Sequence, residues 1–325
     1  MEEQVFQNRV DLNDLQQAVS SIKREVNKII VGQDDMIELL IAAILADGHV
    51  LIEGVPGVAK TLTAKLLSKT MAIGFSRIQF TPDLMPSDII GTSIFNLKTS
   101  EFEFKKGPLF SNIILIDEIN RAPAKTQSAL FEAMEERQIT VDGKTYPLTA
   151  PFLVLATQNP IEHEGTYRLP EAQLDRFIFK IEVDYPSLED EIKIISEYHA
   201  RKNTVDLNSV NAVINAANVK DFRGKVSSLH IDANLISYIA KIVNQTRNNA
   251  SIYLGASPRA SLSILSASKA IAAMRGRDFV TPDDIKFVSA PVLKHRIMLT
   301  PEKEMEGISS KDVIKLIVEQ IEVPR

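Results

Sequence analysis

Gly54-Val55-Pro56-Gly57-Val58-Ala59-Lys60-Thr61 follows directly on the apolar run His49-Val50-Leu51-Ile52, so a buried strand leads through a glycine-bearing loop into a helix. Such a loop turns backbone N–H groups inward on an anion, and the helix behind it adds the positive end of its dipole. Lys60 supplies a mobile charge for the outer phosphates of a nucleotide, and the Thr61 hydroxyl suits Mg²⁺. The stretch from Gly54 through Leu62 is accordingly read as the cradle of a nucleoside triphosphate. It departs from the strict G-x-x-x-x-G-K-[ST] pattern at Ala59, whose Cβ is expected to keep the loop from using positive φ freely there. The plain alternative is a strand-turn-helix with a surface lysine.

Further along, Asn112-Ile113-Ile114-Leu115-Ile116 is a continuous apolar run ending in Asp117-Glu118, the pattern of a buried parallel strand with acids at its C-terminal edge. Asp117 is placed to hold Mg²⁺, and Glu118 to polarise an attacking water. A third apolar strand, Phe152 to Thr157, ends in Gln158-Asn159-Pro160. The neutral amide of Asn159 can orient water and sense a γ-phosphate, although Asn-Pro by itself is an ordinary turn former. Leu174-Asp175-Arg176-Phe177 and Gly255-Ala256-Ser257-Pro258-Arg259 each add an arginine to a phosphate site that otherwise has only Lys60.

The 325 residues are enough for about two domains, and 45% hydrophobic with 24% charged residues describe an ordinary globular protein. A net charge of -5 gives no global basic field to draw the chain onto nucleic acid or anionic lipid. With no cysteine, disulfides, thiolate metal sites and a cysteine nucleophile are excluded. The start lacks a basic-then-apolar leader pattern and no apolar stretch is long enough to span a bilayer, so no membrane insertion and a cytoplasmic location are expected. Histidines 49, 163, 199, 230 and 295 show no metal-ligand spacing and read as structural or surface residues.

Leu12, Leu15, Val19, Ile22, Val26 and Ile29 make one apolar stripe on an opening helix, and Met36 to Leu45 reads as a second. Strands at Ser76 to Phe80, Ile113 to Ile116, Phe152 to Thr157 and Phe177 to Val183 alternate with helices such as Lys60 to Thr70 and Pro123 to Glu136. That rhythm implies an α/β fold with a parallel sheet. Two hairpins interrupt it, one around Lys98-Thr99-Ser100 and one around Asp142-Gly143. After Asp184-Tyr185-Pro186 the strand signals stop, and Leu188 to Arg201, Ser209 to Asn218, Ile231 to Asn248, Ser257 to Arg275, Thr281 to His295 and Ser310 to Gln320 read as helices. Thr281-Pro282 is a good helix start. The expected division is residues 1–185 as an α/β core and 186–325 as a smaller all-helical domain.

These residues resemble AAA+ ATPases and, within them, the MoxR family. Lys60 and Thr61 look like a Walker A pair, Asp117 and Glu118 like a Walker B pair, Asn159 like sensor 1, Arg176 like an arginine finger and Arg259 like sensor 2. More specific are Thr81-Pro82-Asp83-Leu84-Met85-Pro86-Ser87-Asp88-Ile89-Ile90-Gly91, Asp117-Glu118-Ile119-Asn120-Arg121-Ala122-Pro123 and the run from Glu162 to Phe177. The resemblance implies a P-loop AAA+ core with a five-stranded parallel sheet and a helical lid, and an adenine pocket lined by Val31 and Gly32. It also implies a ring, commonly a hexamer, in which Arg176 serves the neighbouring subunit while Arg259 acts on its own. Arg121 and Arg168 stay open between contacts across the ring and loop salt bridges, the latter favoured for Arg168.

The expected function is Mg²⁺-dependent ATP hydrolysis driving chaperone-like remodelling or maturation of a client protein, such as metal or cofactor insertion. The resemblance adds a partner with a von Willebrand factor A domain. One alternative is a motor acting on nucleic acid, against which the acidic balance and the lack of a basic, aromatic-interleaved run both speak. Another is an ATP-gated scaffold that rarely hydrolyses, against which Glu118 and Arg176 speak. A threading unfoldase is disfavoured because Thr81 to Gly91 contains no aromatic residue. Phe95, Phe102 and Phe104 fit either a client contact or a packed hairpin.

Overall fold

Runs of β-branched and leucine residues make the central strands, and alternation sends their side chains to two faces that are both covered. The computed structural model describes residues 10–55, 57–159, 169–202, 204 and 206–324. The chain opens with α1 (Asn13–Val26) and α2 (Asp34–Leu45), followed by β1 (His49–Gly54), α3 (Lys60–Thr70), β2 (Phe75–Gln79), α4 (Pro86–Ile90) and the hairpin of β3 (Gly91–Asn96) and β4 (Glu101–Lys106). Next come β5 (Ile113–Asp117), α5 (Ala124–Glu136), the hairpin of β6 (Gln138–Val141) and β7 (Lys144–Pro147), β8 (Leu153–Gln158), α6 (Glu171–Leu174) and β9 (Phe177–Val183). The remainder comprises α7 (Leu188–Ala200), α8 (Ala216–Ser227), α9 (Ala233–Arg247), β10 (Ile252–Leu254), α10 (Pro258–Met274), α11 (Pro282–Leu293), β11 (Met298–Leu299), α12 (Pro301–Met305) and α13 (Ser310–Gln320).

The sheet has five strands in the order β2-β5-β8-β1-β9, all parallel. Every strand therefore ends on the same edge, where Gly54, Asp117 and Gln158 lie. On one face, Leu51, Ile114, Ile116, Val154 and Ala156 pack with Leu130, Phe131 and Met134 of α5. On the other, Val50, Ile52, Leu115, Leu155 and Phe179 belong to a core that continues without a break through α1, α2 and α3 into α8, α9, α10, α11 and α13. The C-terminal helices thus share a core with the sheet. They also carry a short antiparallel pair, β10 with β11, so this part is helical with one small sheet. No helix among the described residues is long and apolar enough to cross a membrane.

One expected helix is displaced. The Ser209 to Asn218 segment reads as helical by its apolar spacing, but helix begins only at Ala216. Asn215 caps it, its Oδ1 accepting from the N–H groups of Ala217 at 2.9 Å and Asn218 at 3.1 Å. The preceding residues form a strap, with Val213 and Ile214 donating N–H to the carbonyl of Thr70 on α3. Thr281 does start α11, in a capping box with Asp284 and with Pro282 in the first turn.

Both hairpins form and lean on each other: Ser93 Oγ lies 2.6 Å from Asp142 Oδ2, and Phe104 stacks on Tyr146 at 4.4 Å. Phe95 and Phe102 meet edge-on at 5.2 Å yet stay 49% and 74% exposed, so the packed aromatic is Phe104 and the outer pair is bare.

His49 is buried between strand and helix. Its Nε2 donates to the carbonyl of Met134 at 3.2 Å and its Nδ1 accepts the N–H of Val154 at 3.0 Å. Burial, reinforced by Arg137 and Arg223, pushes its pKa down to about 3, against the opposing pull of the Met134 carbonyl. Burial and the adjacent Arg296 lower the fully buried His295 as well. An unfolded histidine takes up its proton near pH 6.5 while these folded ones do not. Stability present above pH 6.5 is accordingly lost as the pH falls toward 3. In denaturant titrations His49→Gln is expected to flatten that decline by about 1.4 kcal/mol per pH unit; an unchanged slope would exclude His49 as a source of it.

Candidate nucleotide-hydrolysis site

The β1–α3 loop turns on two left-handed residues. Gly57 has φ +90°, with nothing within 4 Å of the position a Cβ would take. Ala59 has φ 59° and ψ 19°, contrary to the expectation that its Cβ would keep it out of positive φ. Alanine tolerates this region at a cost of about 1–2 kcal/mol, and the helix that starts at Lys60 holds it there. Lys60 Nζ donates to the carbonyl of Gly54 at 2.6 Å, closing the loop on itself. Burial lowers the Lys60 pKa, while Asp117, Glu118 and Glu53 pull it upward. Pro56 lies outside the described residues, as do residues 160–168, with Arg168 and the first seven residues of the Glu162 to Phe177 run.

Asp117 and Glu118 stand at the end of β5, next to this loop. Thr157 of β8 joins them: its hydroxyl donates to Asp117 Oδ1 at 3.2 Å and accepts the Glu118 N–H at 3.1 Å. Glu118 has φ 58° and ψ 52°, which ends the strand and turns its side chain away from that of Asp117. A non-glycine residue held in this region marks strain of the kind that collects at working sites. Strand β2 supplies two further contacts. Arg77 Nε donates to Asp117 Oδ2 at 2.6 Å, and Gln79 Nε2 to Glu118 Oε2 at 2.7 Å. Arg121 Nε pairs with the same Glu118 oxygen at 3.0 Å, so Arg121 makes a salt bridge within its own chain.

The Thr61 hydroxyl and the Asp117 carboxylate are oxygen donors of the kind Mg²⁺ takes, one carboxylate with water and phosphate completing the shell. Among the described residues no group of three or more His, Cys, Asp or Glu side chains could hold a metal unaided. The donor set fits an ion that arrives with a nucleotide.

Beside the loop, a cavity of about 200 Å³ is lined by Ile29, Ile30, Val31, Gly57, Val58, Ala59 and Leu62, and from the other side by Ile194 and Tyr198 of α7. Its apolar walls and few polar groups suit a flat heterocycle. Gly32, at φ +71°, adjoins a neighbouring cavity, and a Cβ on it would stand 2.7 Å from the Asp190 carboxyl of α7. Val55 packs against the core shared with the helices. Asn159 follows the last residue of β8, on the same sheet edge as Asp117.

The two arginines stand elsewhere. Arg176 immediately precedes β9, whose first residue pairs with His49 at the start of β1. It therefore sits on the edge opposite the loop, roughly 17 Å away along a six-residue strand. Arg176 Nε donates to Glu135 Oε2 at 3.2 Å, and its guanidinium lies 5.7 Å from the Phe131 ring. Arg259 Nη2 donates to the other oxygen of Glu135 at 2.8 Å. Both arginines share one carboxylate at the C-terminus of α5. Sequence reading placed Arg259 over the phosphates of its own chain; the structure sets it beside Arg176, out of reach of them.

Residues 49–179 match the family model described as ATPase family associated with various cellular activities (AAA), and residues 244–317 match the AAA lid domain. The chain is 43% identical to Chaperone MoxR1 of Mycobacterium tuberculosis over 97% of its own length and 84% of that protein's. The chain belongs to the MoxR family of AAA+ ATPases. Relatives of similar size include the uncharacterized YeaC of Bacillus subtilis, 45% identical over 96% of both chains. A crystal structure assigned to an ATPase of Cytophaga hutchinsonii superposes with a TM-score of 0.88 at 44% identity, covering 95% of this chain and 96% of that one. In this chain a P-loop core and a helical lid are joined.

Sequence reasoning missed Thr157, Arg77, Gln79 and Glu135. Arg77 and Gln79 alternate on a strand in register with β5, Gln79 facing Asp117. Two polar residues spaced by two beside an acid-tipped strand were the available signal. Glu135 carried none, being one of several acids at the end of α5.

Proposed function

We propose that this protein hydrolyses ATP with Mg²⁺ at a site completed by a neighbouring copy, and uses the energy to remodel or mature a client protein in a chaperone-like role. The observation that carries the reading is the separation within one chain. The phosphate loop and the acids Asp117 and Glu118 occupy one sheet edge, and Arg176 with Arg259 the other. A head-to-tail contact between copies brings these unlike edges together, and a closing rotation makes a ring, with a hexamer as the expected size. Arg259 then faces the neighbour's nucleotide together with Arg176.

In the hydrolysis step Lys60 and the loop N–H groups hold the phosphates, Glu118 accepts the proton of the attacking water, and Asn159 orients that water. Arg176 stabilises charge on the phosphoryl oxygens. Thr61 and Asp117 would hold Mg²⁺, which when bound neutralises charge across the outer phosphates. Releasing Asp117 from Arg77 and Glu118 from Gln79 frees both acids for these roles. The exposed Phe95 and Phe102 pair offers a client contact. Metal or cofactor insertion as the maturation step, a partner with a von Willebrand factor A domain and a cytoplasmic location belong to the same reading and rest on family resemblance.

The test is ATPase activity per subunit against protein concentration. A rate per subunit that rises with concentration and then levels is expected. A constant rate over the whole range would point to a self-contained nucleotide switch.

A further inference from the structure

Arg296 follows α11 and is almost wholly covered, its side chain 2% exposed. Its Nε donates to Asp175 Oδ1 at 2.7 Å, and its Nη2 to the carbonyls of Asp175 at 3.0 Å and Phe177 at 2.7 Å. Its Nη1 donates to the carbonyls of Ile178 at 3.2 Å and Val292 at 2.5 Å. One guanidinium thus grips the residue before Arg176 and the two after it. The Phe177 and Ile178 carbonyls lie where the register between β1 and β9 shifts, between His49 and Val50. An irregularity of this kind opens the ladder and re-aims neighbouring side chains. His295 Nε2 adds a second donor to the Phe177 carbonyl at 2.9 Å.

The other oxygen of Asp175 continues the chain of contacts. Ser257 Oγ donates to Asp175 Oδ2 at 2.8 Å, and the same hydroxyl caps α10 by accepting the N–H of Arg259 at 3.2 Å. Arg296, Asp175 and Ser257 therefore link the backbone around Arg176 to the first turn of the helix that carries Arg259. The Arg176 side chain, by contrast, reaches the surface, 31% exposed. The backbone is clamped while the working group projects.

We propose that Arg296 is a positioning residue for the arginine finger: it fixes the backbone on both sides of Arg176 and, through Asp175 and Ser257, makes Arg176 and Arg259 a single unit tied to both the sheet and the helical lid. The inference rests on the reading that Arg176 serves a neighbouring copy. A buried ion pair seldom stabilises more than apolar packing of the same volume, so stability alone gives this pair little reason to stand here. A guanidinium suits the task because its planar fork meets several acceptors at fixed angles, which an ammonium cannot do.

Arg296→Lys keeps the charge and removes the fork. The expected result is a kcat lower by about 10²-fold, the cost of a small misplacement of a catalytic group, with KM for ATP close to wild type. The decisive step is a one-to-one mixture of Arg296→Lys with Lys60→Ala. The Arg296→Lys chain keeps a sound cradle and receives an intact finger from Lys60→Ala, so activity recovers. Failure to recover would mean that the substitution damages its own chain's site, and would overturn the proposal. A mixture of Arg176→Ala with Lys60→Ala is run beside it. If that pair fails to recover, the shared-site reading falls; if it recovers and the Arg296→Lys pair does not, only the role of Arg296 falls. Should Arg296→Lys not fold, Ser257→Ala removes the hydroxyl between Asp175 and α10. It is expected to lower kcat about tenfold with the same recovery on mixing, and a wild-type kcat would overturn the link.

Discussion

Arg176→Ala is expected to lower kcat by about 10³ to 10⁵ while leaving nucleotide affinity near that of the wild type. The size follows from what an arginine does for phosphoryl transfer, where the protein's main contribution is charge placed on the transferring group. The unchanged affinity follows from position, since Arg176 stands on the sheet edge opposite the cradle of its own chain. Arg176→Lys should restore little, because one ammonium cannot reproduce the fork. Steady-state ATPase assays and binding of a fluorescent nucleotide analogue separate the two effects. If affinity collapsed together with rate, Arg176 would be touching the nucleotide of its own chain and the two-edged site would be wrong.

Glu118→Gln should cost about 10² to 10⁴ in hydrolysis and leave ATP bound. The substitution keeps the shape of the side chain and removes the carboxylate that takes up the proton. Gln79 and Arg121 hold that carboxylate now, so its loss also removes an ion pair with Arg121 at 3.0 Å. That pair is partly exposed and its loss is a minor matter for stability. Single-turnover experiments with radiolabelled ATP read the trapped nucleotide directly. Wild-type turnover by Glu118→Gln would shift the assignment to a scaffold in which ATP binding, not hydrolysis, does the work.

The phosphate cradle and the acid-tipped strand were legible because each is a local pattern: an apolar run, then glycines and lysine, or an apolar run, then two acids. Strand β9 and helices α3 and α13 were read to the residue for the same reason. What escaped has non-local causes. The Ser209 to Asn218 segment has helical spacing, yet its N–H groups find a partner on α3, far away in sequence. Ala59 was expected to avoid positive φ by a steric rule that holds for an isolated residue; the helix and the Lys60 contact behind it decide otherwise. Thr157, Arg77 and Gln79 become partners of the acids only when three strands align. Arg259 was assigned to its own chain by resemblance alone, and only the shared contact with Glu135 shows which edge it occupies. The small β10 and β11 pair, three and two residues long, is too short to leave a periodicity.

The unbroken core that runs from one face of the sheet into the C-terminal helices bears on how this chain came to be built. A lid with its own core could be exchanged between genes as a cassette, cut at a linker and rejoined to another engine. Here a cut near Tyr185 would leave Val50, Ile52 and Phe179 without part of their cover and strip Ile264, Ile271 and Val288 of theirs. Engine and lid are thus one packing unit, in which a change of volume on one side is felt on the other.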